Sequence, residues 1–237
     1  VGVGFFMPFG FCEILDIGAR INGLTRFTEQ ALNCSNIGEN NIELIVVDVN
    51  GNLSSCIAIV TVEDNILPTV VAQDLTVQLD ANGTITITAA DIDAGSSDNC
   101  DIDTMSIDKT TFDCTNVGEN TVTLTVTDVI GNSATATAVV TVEDDSAPTV
   151  VAQDLTVQLD ANGTASITAA DIDNGSSDNC DIETWSIDIT SFDCTNVGEN
   201  TVTLTVTDVN GNSATATAVV TVEDNIQPTV VAQDLTV

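Results

Sequence analysis

The chain has no histidine and no tyrosine, a single tryptophan, and only three basic residues among 237, Arg20, Arg26 and Lys109. Without histidine and with one lysine, the usual general bases, proton shuttles and Schiff-base groups are missing. Lys–Asn isopeptide staples fail for the same want of lysine. Nucleic acid is excluded as a partner because phosphate binding needs clustered Lys and Arg, and an anionic membrane surface is disfavoured likewise. No apolar run approaches the roughly 20 residues that a membrane helix requires, so no membrane insertion is expected in this segment. The apolar start, VGVGFFMPFGF, is too short for a signal peptide and lacks a basic leader. Paired carboxylates are the one catalytic chemistry left, and they recur along the repeats described next, which a catalytic pair rarely does. The expectation is no enzyme.

What the chain has in excess is acid: 36 Asp and Glu, for a formal charge of −33. Self-repulsion of that size destabilises a compact state unless cations neutralise it. The chain also repeats itself. VEDNILPTVVAQDLTV at 62–77 returns as VEDDSAPTVVAQDLTV at 142–157 and VEDNIQPTVVAQDLTV at 222–237, with Pro68, Pro148 and Pro228 spaced by 80 residues. Residues 68–147 and 148–227 align without a gap and differ at roughly a dozen positions, the signature of an array of small units. Residues 1–67 read as a diverged or incomplete repeat, with 8–17 as a candidate seam strand, and 228–237 as the first strand of a further one. The chain reads as a piece of a longer protein, and strand donation from 228–237 into another molecule's open first repeat would make a fibre.

Within 68–147, residues 69–79 are rich in β-branched residues and run to a turn at Asp80–Gly83; 84–89 (TITITA) makes a second strand. An acidic loop follows at 90–103, then short strands at 104–108 and 111–114 and a turn at 116–120. Residues 121–128 (TVTLTVTD) alternate cleanly, with Val122, Leu124 and Val126 on one face and threonines on the other. A turn at 128–132 leads into the last strand, 133–143. Short strands with frequent turns predict an all-β fold of tandem Ig-like Greek-key β-sandwiches of about 80 residues. No helical period occurs, so no helix is expected between Thr69 and Glu143.

Cys100 and Cys114, and again Cys180 and Cys194, lie 14 residues apart without the CxxC spacing of zinc sites. They are expected to pair as Cys100–Cys114 and Cys180–Cys194, each bridge worth about 3 kcal/mol to a marginal unit. Disulfides place the chain outside the cytoplasm. In the first repeat Cys12 pairs with Cys34 or with Cys56, and the remaining thiol is free.

The order SDNC (97–100), NVGENTVTLTVTD (116–128), GNSA (131–134) and a Pro-led restart resembles the hyalin-repeat class of immunoglobulin-like modules. It resembles most the forms strung together in large surface adhesins of gliding and related bacteria. That resemblance implies an extracellular spacer or adhesive role without catalysis. The family often carries cysteines where Ala72 and Ala136 stand here; Cys56 occupies the second of these places, so the resemblance favours Cys12–Cys56.

The seam VEDN-x-x-P is in turn similar to the calcium-binding linkers of cadherins. If the first strand of a sandwich runs from the near pole to the far one, the 90–103 loop and the 128–132 turn return to the near pole, where the preceding seam ends. Glu63, Asp64, Asn65, Asp91, Asp93, Asp98, Asp128 and Asn132 are then candidate ligands for Ca2+, which takes six to eight oxygens. One repeat on, the set is Glu143, Asp144, Asp145, Asp171, Asp173, Asp178, Asp208 and Asn212. The plain reading beside it is that these are hairpin turns and solvated acids.

The chain is thus expected to be a structural spacer of an extracellular bacterial adhesin or surface filament. Its partners would be neighbouring repeats, with self-association into a homo-oligomer or fibre. The alternative is that the repeats themselves bind a glycan or cell-surface partner. The hydroxyl ranks Thr121, Thr123, Thr125 and Thr127 would also suit an ice-binding surface, but outward β-branched residues are ordinary on a half-buried strand. Thermal hysteresis of the purified chain is therefore expected to equal that of buffer.

Overall fold

A computed structural model describes residues 32–47 and 50–233. Expectations for Cys12 and for a seam strand at 8–17 fall outside those residues. Two strands, β1 (Gly38–Val47) and β2 (Leu53–Val62), come first. Then follow β3 (Leu75–Gln78), β4 (Thr84–Thr86), the one-turn helix α1 (Ala89–Ile92), β5 (Ile102–Ile107), β6 (Thr111–Asp113), β7 (Gly118–Asp128) and β8 (Ser133–Glu143). The same series returns as β9 (Leu155–Gln158), β10 (Thr164–Ser166), α2 (Ala169–Ile172), β11 (Ile182–Ile187), β12 (Ser191–Asp193), β13 (Gly198–Asp208) and β14 (Ser213–Glu223). The chain divides into two compact units. Among the described residues, one gathers those up to Asp74 with Thr88–Lys109 and Thr121–Val139; the other gathers Leu75–Ile87, Thr110–Asn120 and those from Val140 on. Each unit contains one seam.

In the second unit, β11-β13-β14-β9 form one sheet and β10-β12 another. Alternation in β13 drives this. Val202, Leu204 and Val206 are fully buried, and from the facing elements Ile167, Ile172 and Phe192 pack into the same core as Val220 and Val222. Each such side chain contributes about 1.5–3 kcal/mol of burial. The intervening threonines look outward, as the period of two requires. In the first unit, β1 and β2 form an antiparallel hairpin running from Gly38↔Val62 to Val47↔Leu53. There too the inward face of β7 is closed to solvent at Val122, Leu124 and Val126. The fold is all-β, built of Ig-like sandwiches.

Three expectations need correction. The stretch 69–79 is not one strand. Thr69 and Ala72 bridge back to Ser97 and Asp93 of the acidic loop, and only β3 joins the sheet, parallel to β8. The changeover is pinned by Asp74, whose Oδ1 accepts from the Val139 N–H at 2.7 Å. Second, a helix does lie between Thr69 and Glu143: α1 has four residues. The Thr88 backbone N–H and hydroxyl both donate to Asp91 Oδ2 at 2.7 Å, a box that caps one turn. One turn is too short to leave a 3.6-residue period.

Third, the cysteines pair differently. The bridges are Cys34–Cys100 and Cys114–Cys180, each joining residues 66 apart, and Cys194 is free and exposed. Neither Cys100–Cys114 nor Cys180–Cys194 forms, and Cys34 is not available to Cys12. Cys56 is disulfide-bonded. The second repeat shows why the close spacing misleads. From β11 the chain crosses to the other sheet as β12 without reversing, so Cys180 lies by the Asp208 end of β13 and Cys194 by the Gly198 end. Eleven extended residues hold those ends roughly 33 Å apart, while a bridge needs Cα atoms within about 7 Å. Each bridge therefore crosses a seam.

Closing a loop of that length is worth about 4 kcal/mol in the chain-entropy account. Replacing Cys114 and Cys180 together by serine is expected to cost about that much in denaturant unfolding of the second unit. Cys194→Ser should leave the midpoint unchanged; equal effects from the two would contradict the pairing.

Candidate metal centre

Beside each seam bridge three carboxylates converge: Asp64, Asp98 and Asp128 in the first unit, Asp144, Asp178 and Asp208 in the second. In each trio one carboxylate oxygen from each aspartate lies within 4.8 Å of the other two. Each trio draws on three segments: the first or second residue past the end of a strand (Asp144 after β8, Asp64 after β2), the loop after the one-turn helix, and the last residue of β7 or β13. Asp64 and Asp144 are 6% exposed, Asp128 1% and Asp208 0%. Lys109, the sole basic residue among those described, follows β5 and lies beyond its other end from Asp98.

Neutral donors hold the trio instead. Asp128 Oδ1 accepts the backbone N–H groups of Ile130, Gly131 and Asn132 at 2.7–2.8 Å. The Asn132 amide donates to Asp128 Oδ2 (2.7 Å) and to the Asp64 carbonyl oxygen (3.0 Å). Asp64 takes the Ile66 N–H on Oδ1 and the Asn99 amide on Oδ2, both at 3.1 Å. Burial pushes the Asp128 carboxyl up, but the Asn132 amide and the three backbone donors outweigh it and bring it below its ordinary value. Asp98 accepts the Cys100 N–H on Oδ2 at 2.8 Å, while its buried Oδ1 has no partner.

The second trio is built alike. Asp208 Oδ1 accepts the Asn210 and Asn212 N–H groups at 2.8 Å, and the Asn212 amide spans Asp208 Oδ2 and the Asp144 carbonyl oxygen. Asn210, at the place of Ile130, adds an amide donor to Asp144 Oδ2 at 2.7 Å. Here the orphaned buried oxygen is Asn179 Oδ1. Burial, then the charges of Asp208 and Asp144, push the Asp178 carboxyl above its ordinary value. Three close carboxylates, no ammonium or guanidinium beside them among the described residues, and a buried oxygen left over are what a hard cation with oxygen ligands would complete.

Of the expected ligands, the structure brings together Asp64, Asp98, Asp128 and Asn132, and Asp144, Asp178, Asp208 and Asn212. Asp91 is taken by the Thr88 cap and Asp93 by the Gly95–Ser96 turn; hydrogen bonds from Thr88 and Ser96 lower both carboxyls. Asp171 and Asp173 repeat those two roles. Glu63, Asn65 and Asp145 are exposed, and Glu143 accepts from the Gln78 amide at 2.6 Å. Sequence reading missed Asn99 and Asn179. Their signal was their place between the trio's aspartate and the bridging cysteine.

That tripeptide ties the trio to the bridge. Asp101 and Asp181, directly after it, take left-handed φ angles of 79° and 80°, which Asp tolerates better than most residues. Gly83 lets the Asn179 loop approach: a Cβ there would stand 2.6 Å from the Asn179 carbonyl oxygen and 2.7 Å from Cys114 Sγ.

No protein-family model matches the chain, and no curated protein does. Solved structures that match include stretches of extracellular cadherin domains. Protocadherin gamma C5 domains 1–3 are 13% identical over 79% of this chain and 78% of that one, with a TM-score of 0.39. Drosophila N-cadherin domains 1–4 are 16% identical over 78% and 58%, with a TM-score of 0.36. For protocadherin gamma B7 domains 1–4 the identity is 13% and the TM-score 0.34, and the match spans 59% of that chain.

The raised Asp178 carboxyl has a definite sign. Its contribution to stability is fully present below the ordinary carboxylate value, 3.8, and is lost as pH rises through the folded-state value. Without divalent cations, Asp178→Asn is therefore expected to raise the melting temperature of the second unit by a few degrees at neutral pH. The difference from wild type should shrink toward pH 4. A variant less stable than wild type throughout would show that the carboxylate is held by unseen donors.

Proposed function

We propose that this chain is a structural segment of an extracellular surface protein, an adhesin-type array in which each seam is stapled by a disulfide and closed by Ca2+. The observation that carries the reading is the recurrence, at both seams, of a carboxylate trio next to a bridge that crosses from one repeat to the next. In this reading the Pro-led repeats 68–147 and 148–227 are the domains, with 1–67 and 228–237 parts of neighbours. A cation among Asp64, Asp98 and Asp128, or among Asp144, Asp178 and Asp208, would take carboxylate oxygens, with Asn132 or Asn212 able to turn its amide oxygen inward. Calcium would supply charge neutralisation and stiffness, not chemistry, and the chain works without catalysis. The bridges suit an oxidising environment, and an acidic array with few basic groups suits a bacterial cell surface or filament, where it would hold a distal binding element away from the cell.

Two cations per chain are expected in a calcium titration followed by calorimetry. A ligand at a hundred times its dissociation constant stabilises the folded state by about 2.7 kcal/mol, so calcium should raise the melting temperature and chelator should reverse it. Asp98→Asn and Asp178→Asn should each remove one site. Melting indifferent to millimolar calcium would overturn the cation reading while leaving the stapled array intact.

A further inference from the structure

The far pole of the second repeat, where β12 ends and β13 begins, matches surfaces that are covered elsewhere in this protein. Cys114 follows β6, its Sγ 3.7 Å from the Gly83 carbonyl oxygen, in a turn that Asp113 caps through the Thr115 N–H. Cys194 repeats this after β12, with Sγ 3.8 Å from the Gly163 carbonyl oxygen and Asp193 capping through the Thr195 N–H. The difference lies in what covers the sulfur. Over Cys114 lies the Asp178–Asn179–Cys180 loop, with the Asn179 carbonyl oxygen 3.4 Å from Sγ and Cys180 bonded to it. Over Cys34 lies the Asp98–Asn99–Cys100 loop, with the Asn99 carbonyl oxygen at 3.3 Å. Cys194 is exposed with a free thiol.

The segment leaving the same pole differs in step. Pro68 and Pro148 are buried, as are Asp64 and Asp144, whereas Asp224 and Pro228 are exposed. Val231 is 82% exposed, while the matching Val71 and Val151 stand at 41% and 37%; Val230 is 87% exposed, while the matching Val70 and Val150 are half-buried. Residues 228–233 read PTVVAQ, identical to the entries into the two preceding repeats.

We propose that this pole is a docking surface for one further repeat of the same kind, whose opening residues are 228–233 and whose Asp-Asn-Cys loop covers Cys194 and bonds to it. The occupant follows from continuity, because both equivalent surfaces carry such a loop, joined through residues 66 apart. It does not depend on the cation reading. Bond formation needs a disulfide oxidant, either a small-molecule disulfide or an oxidoreductase. The Cys194 thiolate attacks that disulfide and releases one thiol. The incoming repeat's thiolate then attacks the mixed disulfide at the Cys194 sulfur and releases the second thiol. Two protein thiols are oxidised, one external disulfide is reduced to two thiols, and the protein thiols' two protons pass to the released thiolates.

The test is the full chain followed directly by a second copy of residues 158–237, which continues 228–237 in register. It is oxidised with glutathione disulfide, alkylated and mapped as non-reduced peptides, beside the 237-residue chain. Cys194 should lose its alkylation and appear bonded to the cysteine 66 residues after it. Amide hydrogen exchange over 226–231 should slow at least tenfold relative to the shorter chain. In the lengthened chain carrying Cys194→Ser, the slowed exchange should persist, separating the surface from the bond. Continued alkylation of Cys194 with unchanged exchange would overturn the proposal. So would a bond from Cys194 to any other cysteine, including Cys194 of a second molecule.

Discussion

The reach of one tripeptide, Asp-Asn-Cys, across the seam is what the rest of the structure depends on. Its cysteine is bonded to a residue of the preceding repeat, its asparagine donates to the seam aspartate, and its own aspartate completes the carboxylate trio. The three contacts fix one another. Holding the loop by a covalent bond reduces the entropy lost when like charges are gathered within a few ångströms. In return, the left-handed turn after the cysteine and the absence of a Cβ at Gly83 admit the loop at a distance that side chains would forbid. Seams built this way are packed and cross-linked, unlike the solvated linkers that commonly separate domains.

The electrostatics follow from the same arrangement. In a chain with a formal charge of −33, the trios' buried carboxylates meet no lysine or arginine among the described residues. The chain answers them with asparagine amides and backbone N–H groups, which hold each oxygen in place without cancelling its charge. Asp128 is drawn below its ordinary acidity range by four such donors, whereas Asp178, with fewer, is pushed above it. The net negative charge of each trio is left uncancelled by any basic side chain among the described residues. That is why a composition poor in basic residues and a site rich in oxygen belong to one design.

Much of this was legible in the residues. The alternation in TVTLTVTD marks the buried face of β7, with Val122, Leu124 and Val126 fully enclosed, and the repeat period locates the seams. Asp64, Asp98 and Asp128 could be brought together on paper because loop and turn return to the same pole. The cysteine pairing could not. Spacing along the chain suggests a small loop, yet the strand between Cys180 and Cys194 passes from one sheet to the other and keeps its direction, which local pattern does not report. The one-turn helix at Ala89–Ile92 is too brief for periodicity, and the partition of acids into trio members and turn caps rests on neighbours only three residues away, Thr88 and Ser96, a local capping pattern that hydrophobic periodicity does not report.

The most direct examination of the central claim is a crystal of the oxidised chain soaked in a lanthanide chloride and measured at that metal's absorption edge. The account requires one anomalous peak enclosed by Asp64, Asp98 and Asp128 and another by Asp144, Asp178 and Asp208, each beside an intact bridge that crosses the seam. Peaks confined to exposed glutamates, or trios closed on one another through protons alone, would contradict it.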